Sequence, residues 1–195
     1  MPRHALMFMA QPAEPVRRAV WDLLEAKGLI EQLGGRIFPE QNWHQSFSGR
    51  VELSTDQCDR MIRAGARVHA AAFTLELNRV ASHGKAGDPQ IIWTVHPTER
   101  PTAFDALVAA TREAMRQEGV EKIEDMAGNA PHVTVCYWAP APLESIVTAS
   151  IPWRIDELLL VESRMNQHHE YHYHTLARWP LRAAPAGLES QPELW

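Results

Sequence analysis

The sequence predicts an α+β protein with mostly antiparallel sheet, on three observations. Strand-like and helix-like segments are mixed along the chain, hairpin-length links outnumber regular βαβ crossovers, and the order helix, strand, histidine-bearing strand occurs twice. The third observation suggests two related lobes. With 195 residues, 45% hydrophobic and 22% charged, the composition is that of a globular protein and excludes disorder, collagen and a disulfide scaffold. The length predicts one compact unit.

The elements follow in order. Ala5 to Met9 reads as a short buried strand, and Pro15 suits the first turn of a helix carrying Val16, Val20, Leu23 and Leu24, closed by Gly34-Gly35. Arg36 to Phe38 and Trp43 to Phe47 read as short strands. Ser54-Thr55-Asp56-Gln57 has the form of a capping box and opens a helix to about His69. Phe73 to Val80 alternates like a strand, and the turn-rich Ser82 to Pro89 joins it to Gln90 to Val95 as a long hairpin. Thr102 caps a helix to about Glu118, with Phe104, Leu107, Val108, Thr111 and Met115 at helical spacing. Val133 to Trp138, Ile155 to Glu162 and Tyr171 to Arg178 read as three more strands. The tail 183–195 shows no period and is expected to be loosely ordered.

A net charge of −5 argues against a long nucleic-acid duplex but leaves room for a small anion in a locally basic cleft. Cys58 and Cys136 lack the spacing of a zinc ribbon and read as reduced core thiols. The apolar run Ala5 to Ala10 is shorter than a signal sequence, and no stretch approaches a membrane span, so a cytoplasmic location is expected.

Three triplets place a hydroxyl two residues after a histidine: His44-Gln45-Ser46, His96-Pro97-Thr98 and His132-Val133-Thr134. On a strand such a pair points to one side. Pro97 assigns the second triplet to a turn. In the third, Val133, Val135 and Tyr137 form a core face, while His132, Thr134 and Cys136 form a reactive one. In the first, Trp43, Gln45 and Phe47 form the core face, with Gln45 as a polar exception. An imidazole moves protons near neutral pH and a hydroxyl donates to a phosphoryl oxygen, so two such pairs facing one cleft supply acid, base and anion holder.

These motifs, 88 residues apart, together with Leu6 to Ala10, Phe73 to Leu77, Ile91-Ile92-Trp93 and Tyr173 to Trp179, resemble the 2H phosphoesterase superfamily. The resemblance is specifically to its 2′-5′ RNA ligase / RNA 2′,3′-cyclic phosphodiesterase family. It implies a bilobal fold over residues 1–182, two pseudo-symmetric lobes with outer helices around a central cleft, each giving one motif from a central strand. It implies opening of 2′,3′-cyclic phosphate ends of RNA or nucleotides to 2′-phosphates, without metal or other cofactor. A monomer is expected. A reverse 2′-5′ RNA joining activity gave the family its older name. His44 is then the acid and His132 the base, although the sequence alone does not decide which is which. Ser46 and Thr134 hold the phosphate, with Ser46 standing where the family usually has Thr. Phe47-Ser48-Gly49-Arg50 shortens the family pattern after the first motif.

Tyr173, His172, Trp93 and Arg164 are candidate cleft contacts, and Arg178 is a further candidate for phosphate. Two alternatives stand beside this reading: a non-catalytic nucleotide or RNA-end binder of the same fold, and a zinc-dependent hydrolase built on the cluster His168, His169, His172 and His174.

Overall fold

The first strand, β1 (His4–Ala10), is apolar at nearly every position and therefore needs cover on both faces. It has it. Leu6, Phe8 and Ala10 enter the main core, while Met7 and Met9 join a smaller cluster with Leu159 and Val161, against which Tyr173 packs. The computed structural model describes residues 4–120, 130–165 and 171–182. The tail 183–195 and His168, His169 and Glu170 lie outside the described residues.

After β1 come α1 (Glu14–Ala26), with Pro15 in its first turn, and α2 (Leu29–Leu33), stopped by Gly34 at φ 55°. A 3₁₀ turn, Glu40–Asn42, leads into β2 (Gln45–Ser46), followed by β3 (Val51–Glu52) and α3 (Thr55–Arg67). The capping box expected at Ser54 is present, its hydroxyl accepting the Gln57 N–H at 3.1 Å. The chain continues through β4 (Phe73–His83), β5 (Ile92–Pro97), α4 (Thr102–Gln117) and β6 (Val133–Cys136). It ends in β7 (Ile146–Ile155), β8 (Glu157–Met165) and β9 (Tyr171–Pro180).

The strands form two antiparallel sheets. The first has the order β2-β1-β8-β9 with β3 also beside β1; the second has the order β6-β5-β4-β7. β2 and β6, which carry the motif hydroxyls, lie at the edges of these orders and not in the centre as expected. Gln45 of β2 is hydrogen-bonded to the backbone of His132, the residue before β6. Phe38, expected in a strand, lies instead in an irregular segment, and its N–H reaches the Val135 carbonyl at 2.7 Å.

Two further departures have clear causes. Ile155 to Glu162, read as one strand, is broken at Asp156, so that β7 closes the second sheet and β8 crosses into the first. The Asp156 carbonyl, freed from a ladder there, accepts Leu181 N–H at 2.7 Å. His96-Pro97, read as a turn, finishes the interior strand β5. The β6 pairing ends at Val95, so the missing N–H of Pro97 interrupts no ladder on that side.

Among the described residues no helix is long and apolar enough to cross a membrane.

Candidate active site

Trp43 and Phe47 are buried either side of the first motif, and the Trp43 indole donates to the Phe38 carbonyl at 2.8 Å. These anchors fix the segment that carries His44. β2 is short because Ser48 takes over the ladder: its hydroxyl accepts the Phe8 N–H at 2.9 Å and donates to the Gly49 carbonyl. The chain then turns and brings Arg50 alongside the motif.

His44 and His132 are held in the same way. Nδ1 of His44 lies 2.7 Å from the Asn42 carbonyl, and Nδ1 of His132 lies 2.7 Å from the Ala130 carbonyl, each two residues upstream. A carbonyl only accepts, so Nδ1 carries the hydrogen and Nε2 is the titrating atom in both rings. The two motifs are also joined. The Gln45 side-chain oxygen accepts the His132 backbone N–H at 2.6 Å, and its amide donates to the Ser46 carbonyl at 2.8 Å. The polar exception on the core face is therefore the tie between the motifs, with the residue 1% exposed.

Electrostatics separate the histidines. Burial pushes His44 down to about 4, helped by the charges of Arg50 and His132 and opposed by the Asn42 carbonyl. His132 is lowered by burial and by His83, against the Ala130 carbonyl. The Tyr173 ring meets the His44 ring edge-on, with centroids 5.0 Å apart. Burial raises the Tyr173 phenol, and Tyr137 adds to the effect while Arg50 opposes it. Arg50 lies over the Tyr171 ring at 5.0 Å from its centroid.

Tyr137, expected on the core face of its strand, is turned the other way. A register shift between Trp93 and Thr94 leaves Val135 as an extra residue opposite β5, and the resulting bulge reverses the alternation beyond it. Tyr137 consequently lies by the Thr134 hydroxyl, within the field of Arg50. Arg50 and Tyr137 are the site residues that sequence reasoning missed. The Ser48-Gly49 turn immediately after the motif was the available signal for Arg50.

Other candidates lie elsewhere. Trp93 is 1% exposed and donates its indole N–H to the Ala141 carbonyl at 2.9 Å, so it belongs to the core and not to the cleft surface. Tyr173 pairs with Ser163, and its neighbour His172 pairs with Arg164, which by alternation puts His172 and Arg164 on the opposite face of the first sheet. There Arg164 binds Glu162 at 2.8 Å, and Glu162 also meets His4. Arg178 is exposed and lies 3.6 Å from Glu157. Among the described residues no three His, Cys, Asp or Glu side chains gather to hold a metal ion.

Set against solved structures, E. coli LigT superposes with a TM-score of 0.72 at 18% identity, over 93% of this chain and 99% of that one. The chain shares the fold of E. coli LigT. E. coli LigT complexed with 3′-AMP gives 0.74 at 18% identity over 91% of this chain and 98% of that one. TT0787 of Thermus thermophilus gives 0.72 at 21% identity over 92% and 98%. No family model and no curated protein matches the sequence.

Proposed function

We propose that the protein is a 2H phosphoesterase that opens 2′,3′-cyclic phosphate ends of RNA or nucleotides to 2′-phosphates by acid–base catalysis between His44 and His132. The observation that carries this reading is the duplicated geometry: two imidazoles, one from each sheet edge, with Nδ1 pinned to a carbonyl two residues back and the motifs joined through Gln45. Complexes of E. coli LigT with 3′-AMP, ATP and NADP+ support a nucleotide as the occupant of such a cleft.

Hydrolysis needs a water deprotonated on one side of phosphorus and the leaving 3′ oxygen protonated on the other, roughly in line. His44, kept neutral by burial and by Arg50, is suited to take the proton of the water. His132 then donates to the 3′ oxygen as the P–O3′ bond breaks. This reverses the roles implied by the resemblance, because the cation beside His44 disfavours its protonated form. Thr134 and Ser46 hold the non-bridging oxygens. Arg50 offsets the charge that develops on them, and the Tyr173 phenol stays a neutral donor.

The test is incubation of a short RNA ending in a 2′,3′-cyclic phosphate with the protein in EDTA, followed by analysis of the terminal phosphate. The expected product is the 2′-phosphate; a 3′-phosphate, or no turnover by folded protein, would contradict the reading.

A further inference from the structure

Beside His132 the second sheet carries two basic side chains, His96 and Arg79, that this reaction does not use. In β4, Thr74 and Glu76 alternate with the buried Phe73, Leu75 and Leu77, and the register shift after Leu77 puts Arg79 on their open side while Val80 returns to the core. Arg79 is the direct cross-strand partner of His96. Thr94 pairs with Thr134 and Val95 with Val133, where the ladder ends; His96 and His132 are the next residue on each side and lie within each other's field. The order across three strands is therefore His132, His96, Arg79. His96 lies in the fields of Arg79, His83 and His132, as expected of neighbours on one face.

Arg79 is part-buried, and its Nε is shielded from solvent without a protein hydrogen-bond partner. A buried guanidinium N–H left unmatched by protein is suited to an oxyanion. Beyond this row the same strands border a cavity of about 610 Å³, lined among others by Asn78, Thr98 and Arg100. Glu76, also on its wall, receives the Ser150 hydroxyl at 2.5 Å.

We propose that Arg79 and His96 form a seat for a second phosphate of the substrate, one nucleotide away from the phosphate that reacts between His44 and His132. The inference rests on the reading of the cleft given above. Adjacent strands are about 4.8 Å apart, so Arg79 begins roughly 10 Å from His132 and its side chain reaches part of the way back. Such a seat makes the substrate an oligonucleotide end or a 5′-phosphorylated nucleotide in preference to a bare nucleoside cyclic phosphate.

Calorimetric binding of 3′-AMP and of adenosine 3′,5′-bisphosphate, in EDTA and without turnover, tests this directly. The wild-type protein should bind the bisphosphate roughly tenfold more tightly, the effect of one charge-assisted contact. Arg79→Ala should bring that ratio below about threefold, Arg79→Lys should restore part of it, and Arg164→Ala, on the other sheet, should leave it unchanged. Since the ratio is taken within each variant, a change in the folded fraction does not imitate the result. Equal affinity of the wild type for both nucleotides would overturn the seat while leaving the hydrolytic reading intact. An equal loss in Arg164→Ala would also overturn it, by showing general attraction. Failure of both nucleotides to bind would overturn the cleft reading and this inference together.

Discussion

The Gln45 side-chain oxygen accepts the backbone N–H of His132 at 2.6 Å, so the residue after one candidate catalytic histidine fixes the backbone of the other. Gln45→Ala removes the partner of that part-buried N–H and leaves a void where the buried side chain lay. A loss of about 1–3 kcal/mol in stability is expected by denaturant unfolding. Turnover should fall about tenfold or more with a smaller change in KM, because His132 is then less well placed. Unchanged kcat in the folded variant would show that the tie does not position the site.

A second relationship holds α3 to β9. A Cβ built on Gly65 would run into the Trp179 ring. Gly65→Ala is therefore expected to cost about 1–3 kcal/mol by overpacking, despite the better helix propensity of alanine. Thermal unfolding reads this, and a variant as stable as wild type would contradict the close approach.

Stability should depend on pH through His44. Its folded-state value, about 4, lies below the ordinary 6.5, so between those pH values the unfolded chain binds a proton that the folded one resists. Stability is then fully present above about 6.5 and falls as pH drops towards 4, by up to about 3 kcal/mol from this group. His132 and His96 are lowered too and act in the same direction. His44→Gln should flatten part of the slope between pH 6.5 and 4.5 in urea titrations, and an unchanged slope would contradict the burial of this imidazole.

The pH dependence of kcat/KM should be bell-shaped and displaced to the acid side. The base works above its pKa near 4, and the acid works below that of His132, which burial holds under 6.5. Activity should peak between those limits and decline above about pH 6.5. A flat profile from pH 5 to 9 would contradict two titrating imidazoles.

Much of this arrangement was legible in the sequence because it is local. The alternation around Trp43, Gln45 and Phe47 places three buried residues on one face, and Ser54 announces α3 through a contact with Gln57. What was not legible depends on contacts between strands. The bulge that turns Tyr137 towards Thr134 exists only in the β5–β6 register, and the break at Asp156 becomes meaningful only when β7 and β8 join different sheets. Pro97 reads as a strand breaker in isolation, yet His96 sits in β5 because the partner strand ends one residue earlier. The fitness of Gln45 for a buried position could not be seen from its own strand, since its partner lies on the other sheet.

The central claim is that two histidines on opposing sheet edges share one phosphate between them, and single-turnover hydrolysis of a nucleoside 2′,3′-cyclic phosphate in EDTA tests it most directly. With wild type, His44→Ala and His132→Ala compared side by side, the account predicts a 2′-phosphate product from wild type. Each single variant should be slower by roughly 10²- to 10⁴-fold while remaining folded. Wild-type rates in either variant would contradict it.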